Sequence, residues 1–391
     1  MKGGRRKSAD LIMKNIYGVI GCNWGDEGKG RITDLLAEKA IQEGSAIVVL
    51  SNGSAQRGHT VIRDGKRHVF KHFGAGTIVC ADSYFPKNFI VNPYIYEEES
   101  IEMFKSGIKK TQCYVHKDCR MALCYDMMEN QVVELSRTDK HGSCGCGVWA
   151  TIQRYQNGYK CNKSVGEIKD MTDEELRQYI ERCALYSRNR TIEILHEECL
   201  PFKIFESYDS LWLCENLASE MMATIRRFLD EVEIVDDSSF LEDYKTVIFE
   251  NGQGLMLDYN VDTKFSTPSR TGLQAIKDVL DDNVNYDGII PEIHYVTRTY
   301  ITRHGCSEFE GKCEKHEINP DMIETTNVFN PYQRDFHYGK LNYTNLHARV
   351  MSDANSCSGL KVKYGFAVTH TSEYRWNDKN LNPSMLWMKL D

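Results

Sequence analysis

A chain of 391 residues has material for one large α/β domain or two smaller ones, with a sizeable core. Its 41% hydrophobic and 27% charged fractions are ordinary for a soluble globular protein. The net charge of −8 argues against a general nucleic-acid binder but leaves room for a local phosphate pocket.

No apolar run approaches the roughly 18 residues of a membrane span, so no membrane partner is expected. Lys2, Arg5, Arg6 and Lys7 are not followed by an apolar signal core. Export is therefore not expected, and residues 1–13 read as a flexible extension ahead of a folded body over 14–391. The 14 cysteines are scattered and include no Cys-x-x-Cys pair, which fits reduced thiols in the cytoplasm. Cys113, His116, Cys119 and Cys124 can be drawn as a zinc site, but their spacing matches no standard template. Structural thiols are the expectation.

The first predicted element is a buried strand over Ile16–Ile20, followed by a helix with Ile32, Leu35 and Leu36 on one face. Between them lie Gly21, Gly25, Gly28 and Gly30 with Asp26 and Lys29. A glycine-rich strand-to-helix turn points backbone N–H groups at an anion, and the helix dipole adds positive potential. Lys29 is placed to meet a terminal phosphate. The pattern is not the Walker motif, because Asn23 and Gly30 replace its Gly and its Ser or Thr. With that hydroxyl missing, Asp26 becomes the oxygen ligand for a magnesium ion. A plain βα turn with an exposed lysine would use the same spacing.

A second apolar strand, Ala46 to Leu50, leads into a polar loop ending in Gly58-His59-Thr60, the usual position for ligand contacts in an open α/β sheet. Val61 to Phe70 around Asp64-Gly65 reads as a tight hairpin. Residues 96–135 give helix and strand fragments without evident chemistry. His141 to Gly147 is glycine-rich again. Thr172 to Glu175 forms a capping box, after which Leu176, Tyr179, Ile180, Cys183 and Ala184 recur at helical spacing. Residues 207–230 read as a second scaffold helix. Thr246 to Asp258 repeats the opening device of strand, glycine turn and polar side chain, here Gln253.

Trp24-Gly25-Asp26-Glu27-Gly28-Lys29-Gly30 resembles the phosphate loop of adenylosuccinate synthetases. Further blocks over roughly residues 15–375 continue the resemblance. Gly58-His59-Thr60 matches the segment that holds that family's catalytic acid, whereas Gln56-Arg57 replaces the usual Asn-Ala. The resemblance implies that Gln56 takes over a phosphate contact; Arg57 could bring a new charge to the same phosphate. Ser143, Cys144 and Cys146 stand in a segment resembling Gly-Thr-Thr-Gly-Arg-Gly, with Ser143 keeping a hydroxyl. Arg154 is the candidate for the arginine that the family lends across its dimer interface. Phe249-Glu250-Asn251-Gly252-Gln253-Gly254 resembles the segment whose Gln contacts the purine nucleotide, and Thr267 resembles a threonine on the same phosphate.

The strand from Tyr295 to Gly305 resembles one ending in Thr-Arg-Val-Gly, and the loop receiving L-aspartate should lie within residues 325–340. That loop needs cations for two carboxylates, and Arg303 and Arg334 are the candidates. His370 and Ser372 stand where the family has the Lys and Asp that stack on and read guanine. Viral relatives that make a 2-amino product from a guanylate acceptor lack this Asp and use an adenine nucleotide. They also tend to replace the residue equivalent to Asp26, which this chain keeps.

The resemblance implies one α/β domain around a central, mainly parallel sheet, a homodimer, and a Mg²⁺-dependent ligase of purine nucleotide biosynthesis. It would couple L-aspartate to C6 of inosinate or of guanylate or deoxyguanylate, driven by ATP or GTP. Catalysis would rest on Asp26, His59 and Lys29. Nucleotide or phosphate contacts would come from Gly25, Glu27, Gly28, Gly30, Gln56, Gly58, Thr60, Ser143, Cys144, Gln253, Thr267, His370 and Ser372. Asp26 and Gly58 would hold the metal. A nucleotide-binding regulatory protein, or a kinase or triphosphatase that ignores aspartate, fits the same loop; aspartate-dependent phosphate release separates them.

Overall fold

The computed structural model describes residues 13–138, 143–158, 160–261, 267–305, 308–322, 336–374 and 383–390. Of the extension expected over 1–13, only Met13 lies among them, and Arg334 lies outside them.

The first strand, Asn15–Gly21, sits near the centre of a nine-stranded sheet. In spatial order the strands are Glu233–Val235, Cys113–His116, Asp82–Phe85, Ala46–Val49, Thr246–Glu250, Asn15–Gly21, Glu292–Arg298, Lys363–Thr369 and Leu386–Lys389. Every described pairing in it is parallel. Parallel strands covered on both faces read as continuous apolar runs, which is how the short strands stood out in the sequence. Alternate residues feed opposite cores: Val48 and Ile248 pack on one face, Ile47, Val49, Val247 and Phe249 on the other. The chain builds one flank of the sheet after its first strand, then returns through Thr246–Glu250 and crosses to the other. That reversal opens a crevice at the carboxyl ends of the central strands.

The hairpin forms as expected, His59–Arg63 pairing antiparallel with Lys66–Phe70. Asp64 and Gly65 take φ of 50° and 74°, the left-handed pair a tight two-residue turn needs. The capping box also holds: Glu175 N donates to Thr172 Oγ1 at 3.3 Å and Thr172 N to Glu175 Oε2 at 2.8 Å, opening the helix Asp173–Glu197.

Two expectations change. The helix read over 207–230 is two helices, Lys203–Trp212 and Glu215–Glu231. Trp212 is buried with its indole N–H on Ser187 Oγ, and Cys214 is extended, so the chain turns without glycine or proline. The strand from Tyr295 is also divided. Glu292–Arg298 stays in the main sheet, whereas Tyr300–His304 joins a small antiparallel sheet with Phe336–Lys340 and Lys312–Cys313. Among the described residues, no helix is long and apolar enough to cross a membrane. The thirteen described cysteines are free thiols.

One buried acid gives a stability prediction. Glu129, enclosed between helices, has its pKa raised from 4.5 to about 8, first by burial and then by Asp126. The folded chain thus holds this proton more tightly than the unfolded chain. The contribution is full below the unfolded value and is lost as pH rises towards about 8. Denaturant titrations at about pH 5.5 and about pH 8.5 should show wild-type stability falling more steeply than that of Glu129→Gln. Equal slopes would contradict it.

Candidate active site

The phosphate loop, residues 22–28, hangs from the first strand and is tied inward by one side chain. Glu27 Oε1 accepts Asn23 N at 2.8 Å and Gly25 N at 3.0 Å, while Oε2 accepts Lys29 Nζ at 2.9 Å. Glu27 and Lys29 are both buried. A Cβ on Gly21 would stand 2.4 Å from Glu27 Oε2 and 2.8 Å from Lys29 Nζ, so only glycine admits this pair. Gly28, at φ 91°, caps the helix Lys29–Glu43, whose buried face includes Ile32, Leu36, Ala37 and Ala40; Leu35 is only half-buried.

Neighbouring strand ends and the helix Tyr343–Ala354 hold the loop from outside. Arg298 Nε donates to the carbonyl of Asp26 at 2.6 Å, and Thr369 Oγ1 to that of Glu27 at 2.7 Å. Arg349 reaches the carbonyl of Cys22 at 2.8 Å and Asn23 Oδ1 at 2.6 Å. The Arg303 guanidinium lies over the Trp24 ring, its Cζ 3.9 Å from the ring centroid. Asp26 is in the left-handed region at φ 61°, and its carboxylate, 26% exposed, lies 3.7 Å from His304 Nε2.

His59 opens the first strand of the hairpin. Its Nδ1 is 2.7 Å from Glu250 Oε1, at the end of a central strand. Burial holds the imidazole below its usual pKa against the pull of Glu250. Burial also pushes the Glu250 carboxyl up, but His59 and Arg57 more than offset this and leave it below the usual carboxylate range. Gln56 Oε1 is 3.8 Å from the Cys144 thiol, and Ser143 Oγ donates to Asn130 Oδ1 at 2.8 Å. Gln253, at φ 64°, accepts the Thr267 hydroxyl at 3.0 Å. Gln253 and Thr267, 14 positions apart, thus meet directly. Gly58 is exposed and Thr60 half-buried beside His59. His370, at φ 57°, contacts Thr369 Oγ1 through Nδ1 at 2.9 Å, and Ser372 is exposed in the following turn.

Arg154 cannot reach a partner subunit. It is fully buried, gripping both oxygens of Asp126 at 2.8 Å and giving its remaining N–H groups to the Met121 and Cys161 carbonyls and Tyr179. The zinc drawing also dissolves: Cys119 Sγ points to the Phe89 carbonyl at 2.8 Å, and His116 Nδ1 accepts Asp118 N at 2.9 Å. An open cleft of about 560 Å³, lined by Cys80, Asp82, Lys109, Lys110, Thr111 and Gln112, lies at the opposite, amino end of the sheet. It contains none of the residues above.

The crevice therefore offers backbone amides, a buried lysine and a half-open carboxylate at a helix start, beside an imidazole backed by a carboxylate. Residues 18–336 match the sequence model of adenylosuccinate synthetase. The chain belongs to the adenylosuccinate synthetase family. The enzyme of that name from Lactobacillus acidophilus is 27% identical over 299 residues, 74% of this chain and 63% of the relative. That of Hydrogenovibrio crunogenus is 27% identical over 311 residues, 76% of this chain and 64% of the relative. The matched part thus spans less than two thirds of either relative's length.

Two solved structures share the fold. Fully ligated adenylosuccinate synthetase from Plasmodium falciparum superposes with a TM-score of 0.64 at 18% identity, covering 91% of this chain and 77% of its own. The cyanophage S-2L succinoaminodeoxyadenylate synthetase, PurZ, bound to dGMP and dATP as energy donor, gives 0.58 at 14%, covering 92% and 86%.

Proposed function

We propose that this protein joins the amine of L-aspartate to C6 of a 6-oxopurine nucleoside monophosphate, inosinate or guanylate, at the cost of a nucleoside triphosphate. The observation that carries this is His59, backed by Glu250, packed against Gly30 at the start of the helix that follows the phosphate loop bearing Asp26 and Lys29. Oxide is a poor leaving group, so the 6-oxygen must first be phosphorylated. Asp26 takes the N1 proton and negative charge collects on the 6-oxygen, which attacks the terminal phosphorus of the donor. Lys29 and the loop amides hold the transferring phosphoryl group by position and charge. The aspartate amine then adds at C6, phosphate leaves, and His59 meets the charge arriving on it. Arg303, stacked on Trp24 beside Asp26, supports the aspartate carboxylates, as does Arg334 by the resemblance. Gln56, Ser143, Cys144, Gln253 and Thr267 line the acceptor side, in a homodimer working in the cytoplasm.

Magnesium fits the donor chemistry. Among the described residues no three His, Cys, Asp or Glu gather into a metal cage. The partly exposed Asp26 carboxylate and the carbonyl of the exposed residue Gly58 are hard oxygen ligands that would leave the other positions to phosphate and water, the mode Mg²⁺ favours. When bound, the ion would neutralise charge on the donor phosphates.

The donor should be ATP at least as readily as GTP. Ser372 cannot accept both the N1 and N2 protons of guanine, a loss of about 1–3 kcal/mol. Glu373, the nearest other acceptor, already takes the Tyr300 hydroxyl at 2.5 Å. His370 still offers a ring for stacking on any purine. A phosphate-release assay crossing inosinate and guanylate with ATP and GTP tests both points. Release should require aspartate, with kcat/KM for ATP equal to or above that for GTP. A preference for GTP beyond about tenfold, roughly 1.4 kcal/mol, would overturn the donor reading. Release without aspartate would make the protein a triphosphatase.

A further inference from the structure

We infer that Arg57 and Glu250 act together as positioning residues that lock His59 with Nδ1 committed to the protein and Nε2 left for the reacting oxygen. The inference rests on the proposed ligase chemistry for its catalytic consequence, but its geometry stands alone.

Glu250 is the last residue of a central parallel strand, and its side chain is wholly enclosed. Oε1 takes the His59 Nδ1 proton at 2.7 Å, and Oε2 accepts Ala75 N at 3.1 Å. Arg57 closes the group from a third side. Its Nη2 donates to the Glu250 carbonyl at 2.7 Å, and Nη1 lies 3.6 Å from Oε2. The carboxylate is thus fixed by an imidazole, an amide and a guanidinium that also grips its own backbone. An enclosed carboxylate facing only a neutral imidazole would be costly, and Arg57 supplies the missing counter-charge. The base of the imidazole side chain rests on the phosphate-loop helix, since a Cβ on Gly30 would stand 3.0 Å from His59 Cβ. A ring held at both Cβ and Nδ1 has one free choice fewer about its tautomer and its tilt.

The test uses the full chain labelled with ¹⁵N-histidine, read by proton NMR without substrate and by steady-state kinetics. A strongly downfield Nδ1 proton is expected in the wild type and absent in His59→Gln, which assigns it. Glu250→Gln and Arg57→Ala should remove or displace that resonance. Each should lower kcat by about tenfold or more while the KM for donor and acceptor stays within about twofold. Arg57→Lys, which keeps the charge but not the fork, should recover part of kcat. If Glu250→Gln does not fold, Glu250→Asp replaces it, because the shorter acid cannot span to Nδ1. A resonance that survives Glu250→Gln, or kcat unchanged in Arg57→Ala, overturns the inference. Absence of aspartate-dependent phosphate release in the wild type would remove the ligase reading, while the resonance would still decide the positioning.

Discussion

Replacing Asp26 by Asn, or His59 by Asn, should lower turnover by at least about 10²-fold with the melting temperature nearly unchanged, the usual scale for a positioned acid or base. Asn is the residue best able to inherit the left-handed backbone of Asp26, at φ 61°, so the loop should survive the change. What is lost is the ability to take a proton from N1. At His59 the amide can still meet Glu250 Oε1 but offers no second ring nitrogen to the substrate. Near-normal turnover in either variant, measured as aspartate-dependent phosphate release, would remove that residue from the mechanism.

Lys29→Met should cost about as much in turnover, about 10²–10³-fold, because the transferring phosphoryl group loses its fixed cation. It should also destabilise the fold by about 3–5 kcal/mol, since it strands a buried Glu27 carboxylate that now pairs at 2.9 Å. The two effects separate in the double variant Glu27→Gln, Lys29→Met. A neutral amide oxygen can still accept Asn23 N and Gly25 N, so stability should largely return while activity stays lost. Recovery of activity along with stability would show that Lys29 serves the loop rather than the phosphoryl group.

Much of this site was readable where function and backbone geometry share neighbouring residues. The glycines from 21 to 30, the Asp64-Gly65 turn and the Thr172 capping box all declared themselves within a few positions. The side chains that were missed act across the sheet. Glu250 meets His59 from 191 positions away, Arg298 meets Asp26 from 272, and Thr369 meets Glu27 from 342. Parallel topology brings such strand ends together, and no local pattern announces it. Glu250 did carry one signal, a charge closing a strand otherwise apolar at Val247, Ile248 and Phe249. Arg154 misled for the opposite reason: an arginine downstream of the Ser143 segment, offered despite a spacing that did not fit, proved to be a core residue clamped by Asp126. The split at Cys214 left no trace, because burial of Trp212 rather than a glycine or proline ends that helix.

The central claim is that the purine 6-oxygen leaves as phosphate. It is tested most directly with inosinate or guanylate carrying oxygen-18 at C6, incubated with ATP, Mg²⁺ and L-aspartate, and mass analysis of the phosphate released. The account predicts that each phosphate formed with the aspartyl nucleotide carries the label. Unlabelled phosphate, its new oxygen drawn from water, would contradict it.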